Sequence, residues 1–319
     1  MNGRRILVTG PTGFVGRGLL DRLTREGWLI RAAVRSADRA ALLPTDVEAA
    51  VVGPIGPLTD WRPVLSGIDV VVHLAARAHV MNDPAGDPLA AYREVNAAGT
   101  ECLAHAAVDA GIERFVFMSS VKVNGEGAAR PYTETDPPDP ADAYGLTKLE
   151  AETALAGAAR EAGMAMVVLR PPLVYGPGVK ANFLNLLRAV DRGLPLPLAS
   201  VDNRRSLIYL GNLVDVIMTC LVHEKAAGKT YLVSDGEDVS TAELIRKMAA
   251  ALGRPARLWP VPPILLKAAG RLTGRSASID RLLGSNTVDA SGIRSDLDWR
   301  PPHDMADGLE ETARWFKGL

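Results

Sequence analysis

The sequence predicts an α/β protein, a doubly wound parallel sheet with a smaller mixed α/β lobe. Three observations carry this expectation. Short apolar runs alternate with helical patterns through the first half of the chain. Those runs are continuously apolar rather than alternating, as in parallel strands covered on both faces. After Arg170 the rhythm changes, and proline returns at 195, 197, 255, 260, 262, 263, 301 and 302.

The elements follow in order. The run ending at Thr9 reads as a buried strand over residues 4–9 because Ile6, Leu7 and Val8 are consecutive and apolar. Phe14, Val15, Leu19, Leu20 and Leu23 recur at helical spacing and predict a helix over 14–26. Strands are predicted over 29–34, 47–52 and 69–74, with a short helix at 60–66. One long helix over 88–110 leads to a strand at 114–119, and a helix over 143–162 to a strand at 164–170. Strand-like runs at 206–210 and 230–233 predict a return to the first domain before a helix at 241–252. In such sheets ligands sit beyond the carboxyl ends of the strands.

The 319 residues are 47% hydrophobic, ample for a sizeable core, and the formal net charge of -1 provides no global field for nucleic acid or an anionic membrane. No separate secretory signal is read at the N-terminus and no run reaches membrane-spanning length, so a cytoplasmic location is expected. Cys102 and Cys220 lie in apolar helical patterns without partners at metal-ligand spacing; reduced, buried thiols and no metal site are expected.

"TGPTGFVG", Thr9–Gly16, joins the first strand to the first helix. Glycine permits a tight turn and lets backbone N–H groups and a helix N-terminus approach a pyrophosphate, which marks Gly10, Thr12, Gly13, Phe14, Val15 and Gly16 as candidate dinucleotide contacts. A carboxylate at the end of the second strand would accept hydrogen bonds from the ribose hydroxyls of NAD. "IRAAVRSADR" instead places Val34 there, followed by Arg35 and Ser36, a cationic fork and a hydroxyl suited to a 2′-phosphate. NADP(H) is therefore favoured, with NAD(H) the alternative.

Tyr144 and Lys148 lie four apart at the start of a helical pattern, so phenol and ammonium share a face. A nearby cation stabilises phenolate and lowers the tyrosine pKa, which suits proton exchange with an alkoxide. "FVFMSSVKVNGE" puts Ser119 and Ser120 at the carboxyl end of a strand, on the cofactor's expected edge.

With "VVHLAA" (71–76), "VNAAGT" (95–100), "YGLTK" (144–148) and "RPPLVYGPG" (170–178) in the same order, the chain resembles the extended short-chain dehydrogenase/reductase superfamily, in its nucleotide-sugar epimerase, dehydratase and reductase branch. The resemblance implies a Rossmann fold. It implies that Ser120 hydrogen-bonds the sugar oxygen, Tyr144 is the acid/base, Lys148 tunes the phenol and binds the nicotinamide ribose, and Asn96 shapes the helix and proton path. Ser119 then supports Ser120 or contacts substrate. Leu74, Ala75 and Ala76 pack beside the cofactor. Pro54 replaces the acidic residue that usually contacts adenine, leaving the Ile55 backbone for that task. In the second lobe, Asn182, Arg205 and Arg281 match residues that hold a substrate diphosphate. Residues 1–178, rejoined by about 206–234, would form the dinucleotide-binding domain, and 179–205 with 235–319 the substrate lobe. The helices from Pro88 and Ala143 could build a homodimer face or cover the sheet.

The leading expectation is an NADPH-dependent reductase of a nucleotide-linked, UDP-type 4-keto sugar in surface polysaccharide biosynthesis. A UDP-sugar 4-epimerase with retained NAD is the alternative. Val121 and Lys122 stand where the dehydratase signature has acidic residues, which disfavours dehydration. A non-catalytic NADP-binding regulator is disfavoured because a sensor needs no tuned phenol. Lys267, Arg271 and Arg275 recur at four-residue spacing in "VPPILLKAAGRLTGR". Such a basic amphipathic stripe can rest on a membrane surface, but it is read as a lobe helix with a solvated face, membrane association being the disfavoured alternative.

Overall fold

The computed structural model describes residues 3–78, 86–127, 129–274 and 276–318. Seven parallel strands form the large sheet: β1 (Arg5–Thr9), β2 (Leu29–Val34), β3 (Glu48–Val51), β4 (Val70–His73), β5 (Arg114–Met118), β6 (Ala165–Arg170) and β9 (Lys229–Leu232), in the order β3-β2-β1-β4-β5-β6-β9. A small sheet, β10-β8-β7, contains β7 (Leu173–Tyr175), β8 (Arg205–Tyr209) and β10 (Asp238–Val239). The architecture is the expected Rossmann-like α/β fold with a mixed lobe.

The helices on the large sheet are α1 (Phe14–Arg25), α2 (Ala37–Ala40), α3 (Arg62–Leu65), α4 (Pro88–Tyr92), α5 (Gly99–Asp109), α6 (Ala143–Ala162) and α8 (Leu210–Val222). The remaining helices are α7 (Ala181–Asp191), α9 (Thr241–Leu252), α10 (Pro263–Leu272), α11 (Ser276–Leu283), α12 (Ser291–Leu297) and α13 (Met305–Lys317).

The strands are apolar throughout because both faces are buried. Ile6 and Val8 of β1 join one core with Leu19, Leu20 and Leu23 of α1, whereas Leu7 joins the opposite core with Leu103, Ala104 and Ala107 of α5. The same alternation separates Val70 and Val72 from Val71 in β4. A third core fills the lobe, with Phe183, Leu187, Ile245, Met248 and Leu309. Because α1 and α5 cover opposite faces, the direction of winding reverses between β1 and β4. This is the topological switch point, where the carboxyl ends of two adjacent strands open a crevice.

Two sequence expectations change. Arg205–Tyr209 does not enter the large sheet; it pairs parallel with β7 and antiparallel with β10. Pro171 and Pro172 lack the N–H groups a ladder needs, so the chain leaves the large sheet after Arg170 and restarts as β7. The return to that sheet is made by β9 beside β6. The expected helix over 88–110 is interrupted by a π-helical segment, Arg93–Ala98, between α4 and α5. The wider turn carries Asn96, which is buried to 1% exposure.

Candidate active site

The turn after β1 is built by close approach. Gly10 has φ 67°, and a Cβ there would meet the Ala75 backbone nitrogen at 2.9 Å. A Cβ on Gly16 would meet the Gly10 carbonyl oxygen at 2.2 Å. Gly13 is the N-cap of α1 and offers no side chain to its first-turn amides. That leaves uncapped N–H groups at a helix N-terminus beside the crevice, the donor set a pyrophosphate takes. The residues therefore fit a dinucleotide. Thr12, Phe14 and Val15 are half-buried along the turn, and the Phe14 ring lies 3.5 Å from where a Gly178 Cβ would stand. At the end of β2, Val34 is buried, Arg35 is exposed and Ser36 begins α2.

The two strand ends at the switch point are joined by a buried chain of hydrogen bonds. Thr9 and His73 are registered opposite each other as the last residues of β1 and β4. Thr9 Oγ1 lies 2.7 Å from His73 Nδ1, and His73 Nε2 lies 3.0 Å from Thr100 Oγ1. Thr100 donates its only hydroxyl proton to the Asn96 carbonyl at 2.6 Å. It must therefore accept from Nε2–H, and Nδ1 accepts from Thr9. The Ala75 amide donates to Thr9 Oγ1 at 3.2 Å. Asn96 closes the chain: its Oδ1 accepts from the Arg77 amide at 2.7 Å, while its Nδ2 donates to the Arg77 carbonyl at 3.1 Å and to Thr147 Oγ1 at 3.1 Å. One network thus fixes the glycine turn, Leu74–Arg77, the π-helical turn and the helix of Tyr144. Ile55 packs on the start of α5, its Cγ2 being 2.7 Å from where a Gly99 Cβ would stand.

Tyr144, Lys148 and Glu152 recur every fourth residue of α6 and share a face. Asp142 caps this helix, accepting from the Gly145 amide at 2.8 Å, and is also bound by the Lys122 ammonium. A Gly145 Cβ would lie 2.5 Å from the Lys122 carbonyl oxygen, so the glycine lets Tyr144 start its helix directly against the turn that follows Ser120. Ser120 caps that turn, accepting from the Lys122 amide at 3.3 Å, and stays half-buried. Ser119 is 2% exposed and donates to Glu152. Glu152 is held by Arg170 at 2.6 Å and 3.0 Å, and Arg170 also reaches Asn124 Oδ1 at 3.1 Å. Ser119 is thus engaged inward as the anchor of the Ser120 turn rather than offered as a substrate contact.

Burial dominates the electrostatics of Tyr144 and Lys148. Burial, followed by Asp142 and Tyr92, pushes the Tyr144 phenol up to about 12. Lys148 is 1% exposed, with its Nζ 4.0 Å from the Phe117 ring centroid. Burial lowers it to about 7 against the opposing pull of Glu152. The ammonium lies over an aromatic face. His73, stacked on Phe117 at 5.7 Å, is pushed down to about 3 by burial and by Lys148.

In the lobe, Asn182 is exposed on the first turn of α7, and Arg205 is half-buried at the start of β8. Burial lowers the Arg205 pKa, with Glu126 opposing. Arg281 falls on α11, but its side chain lies outside the described residues. No group of three or more His, Cys, Asp or Glu able to hold a metal occurs among the described residues.

The profile of the NAD dependent epimerase/dehydratase family matches residues 6–234. The chain belongs to this family. It is similar to UDP-glucose 4-epimerase of Vibrio cholerae, 48% identical over 316 residues, covering 98% of this chain and 95% of that one. It is also similar to 3 beta-hydroxysteroid dehydrogenase/Delta 5-->4-isomerase of Mycobacterium tuberculosis, 32% identical over 352 residues, covering 99% and 91%. Among solved structures, MoeE5 in complex with UDP-glucuronic acid and NAD superposes with TM-score 0.78 at 27% identity, covering 99% of both chains. This epimerase/dehydratase family member is an NAD(P)-dependent enzyme of the extended short-chain dehydrogenase/reductase type.

Several supporting groups escaped the sequence reading. His73 sat inside the quoted "VVHLAA" run, and its position at a strand end was the available signal. Glu152 lies four residues beyond Lys148, yet its partners Ser119 and Arg170 are distant in sequence. Tyr92 packs edge-on against Tyr144 at 6.4 Å, and the Arg77 guanidinium lies 5.6 Å from the Tyr92 centroid.

Two outcomes are expected. A His73 pKa lowered from 6.5 to about 3 means that the neutral imidazole's contribution is complete above pH 6.5 and is lost as pH falls toward 3. The stability advantage of wild type over His73→Gln should therefore shrink on acidification from about pH 7 to about pH 4, by an amount on the order of a few kcal/mol, in denaturant titrations. A constant difference contradicts the buried neutral ring. Glu152→Ala strands the Arg170 charge and should cost about 3–5 kcal/mol in the same measurement.

Proposed function

We propose that this protein is an NAD-dependent 4-epimerase of a UDP-linked sugar of the glucose type. The observation that carries the proposal is the join of site and kinship: Ser120, Tyr144 and Lys148 gathered at the carboxyl edge of the sheet, in a chain 48% identical over nearly its whole length to a UDP-glucose 4-epimerase. That kinship reverses the order of the two sequence expectations, placing epimerisation ahead of 4-keto reduction. The preference for NADP(H) drawn from Arg35 gives way to NAD, the cofactor named with MoeE5; Arg35 is exposed at its strand end.

The glycine turn and the open N-terminus of α1 would hold the cofactor's pyrophosphate, with Leu74, Ala75, Ala76 and the Ile55 backbone along the adenosine and nicotinamide path. Bound NAD would supply a reversible hydride acceptor and, in its oxidised form, a positive charge. As the phenolate, Tyr144 would take the proton of the sugar 4-hydroxyl during oxidation at C4, and as the phenol it would return that proton when the 4-keto sugar is reduced on its other face. Ser120 hydrogen-bonds the same oxygen in both directions. Lys148, protonated, stabilises the phenolate and binds the ribose. Asn96 holds the π-helical turn through Thr147 and the Arg77 backbone. Asn182 and Arg205 would grip the diphosphate, leaving the sugar to turn between the two steps.

Incubation of the purified protein with UDP-glucose should yield UDP-galactose without net change in nicotinamide absorbance. Tyr144→Phe should lower kcat by at least about 10²-fold and leave NAD binding unchanged, because the lost group acts only in proton transfer. Stoichiometric nicotinamide consumption with a 4-keto sugar, and no isomerisation, would establish the reductase instead.

A further inference from the structure

The helix α10, read from the sequence as a solvated lobe helix, has an unusual outer surface. Only Leu266 and Gly270 of its ten residues are buried. Ile264 is 74% exposed, Leu265 57% and Leu272 89%, and Trp259, four residues before the helix, is 64% exposed. At about 100° per residue, Ile264, Leu265, Ala268 and Leu272 fall on the side opposite Leu266 and Gly270, and Lys267 and Arg271 line one margin of that apolar strip. Both cations are exposed.

The charge along this segment of the sequence is one-sided. Between Glu243 and Asp280 the sequence contains no carboxylate, while Arg246, Lys247, Arg254, Arg257, Lys267, Arg271 and Arg275 supply seven cations. Two are neutralised by distant acids, Lys247 by Glu237 at 2.7 Å and Arg254 by Asp191 at 3.1 Å. The chain as a whole has a formal net charge of -1, so this segment is a local departure from its balance. A solvated helix of a soluble domain normally shows polar residues on its outer face; here the outer face presents isoleucine and leucines, with cations at the margin and an indole nearby.

We infer that α10 is an interfacial helix that docks the substrate lobe onto an anionic lipid surface, inserting Ile264, Leu265 and Leu272 among the acyl chains while Lys267 and Arg271 meet the headgroup phosphates. The apolar strip matches the shallow hydrocarbon boundary, the basic margin matches the surface charge, and Trp259 has the amphipathic character favoured at that boundary. No helix among the described residues is long and apolar enough to cross a membrane, so the attachment is peripheral. It rests on surface residues alone and holds whichever reaction the site performs.

The test is co-sedimentation of the full chain with phosphatidylglycerol–phosphatidylcholine vesicles and with pure phosphatidylcholine vesicles. Wild type should pellet with the anionic vesicles and be released by salt. Lys267→Glu/Arg271→Glu and, separately, Ile264→Ser/Leu272→Ser should each lower the partition coefficient by roughly tenfold or more, with circular dichroism and turnover of soluble substrate unchanged. The proposal is overturned if wild type stays in the supernatant, or if it pellets equally with both vesicles and both variants. It is also overturned if Ile264→Ser/Leu272→Ser abolishes a self-association seen by analytical ultracentrifugation while vesicles are not bound, since the strip would then cover a second copy.

Discussion

The structure depends on how closely two strand ends approach at the switch point. Gly10 and Ala75 leave β1 and β4 so near one another that no side chain fits at position 10, and directly below them Thr9 and His73 are joined through a hydrogen bond with no access to water. A buried polar pair of this kind is stable only when every donor and acceptor is matched. The matching continues through Thr100 and Asn96 to Arg77 and Thr147. The glycine turn that would receive a pyrophosphate and the helix that presents the phenol are therefore parts of one hydrogen-bonded unit.

A second buried unit does the same for the opposite wall. Ser119, Glu152, Arg170 and Asn124 join the ends of β5 and β6 to the middle of α6, and Lys122 with Asp142 ties the Ser120 turn to the start of that helix. Tyr144 and Ser120 belong to segments fixed to each other at both ends. Lys148 lies between the two units, stacked on Phe117 and close to His73 and Glu152. Its low pKa and the high pKa of Tyr144 have the same cause, removal of both groups from water. Burial opposes the charged form of each.

Much of the fold was legible because burial on both faces leaves a plain mark: Ile6, Leu7 and Val8 in succession, then helical spacing from Phe14. The glycine turn was legible as a strand-to-helix joint, and Tyr144, Lys148 and Ser120 were legible as candidates, because the chemistry proposed for them depends on residue type at short spacing. The course of Arg205–Tyr209 was not, because an apolar strand carries no record of which sheet it joins; Pro171 and Pro172 decided it by diverting the preceding chain. The π-helical turn was also hidden, since one extra residue in a turn scarcely alters the apolar period of the helix. On α10 the basic spacing was visible, but the side of the helix on which Ile264, Leu265 and Leu272 would emerge was not.

The sequence by itself determined the alternation of strands and helices and the glycine turn between the first two, and it marked Tyr144 as the candidate for proton transfer, because these follow from local period, glycine geometry and residue chemistry. Only the tertiary structure decided that His73 is a neutral bridge, that Ser119 turns inward to Glu152 and that the lysine lies on an aromatic ring. Those outcomes depend on which distant groups share one water-free space, and burial sets their protonation and their partners together.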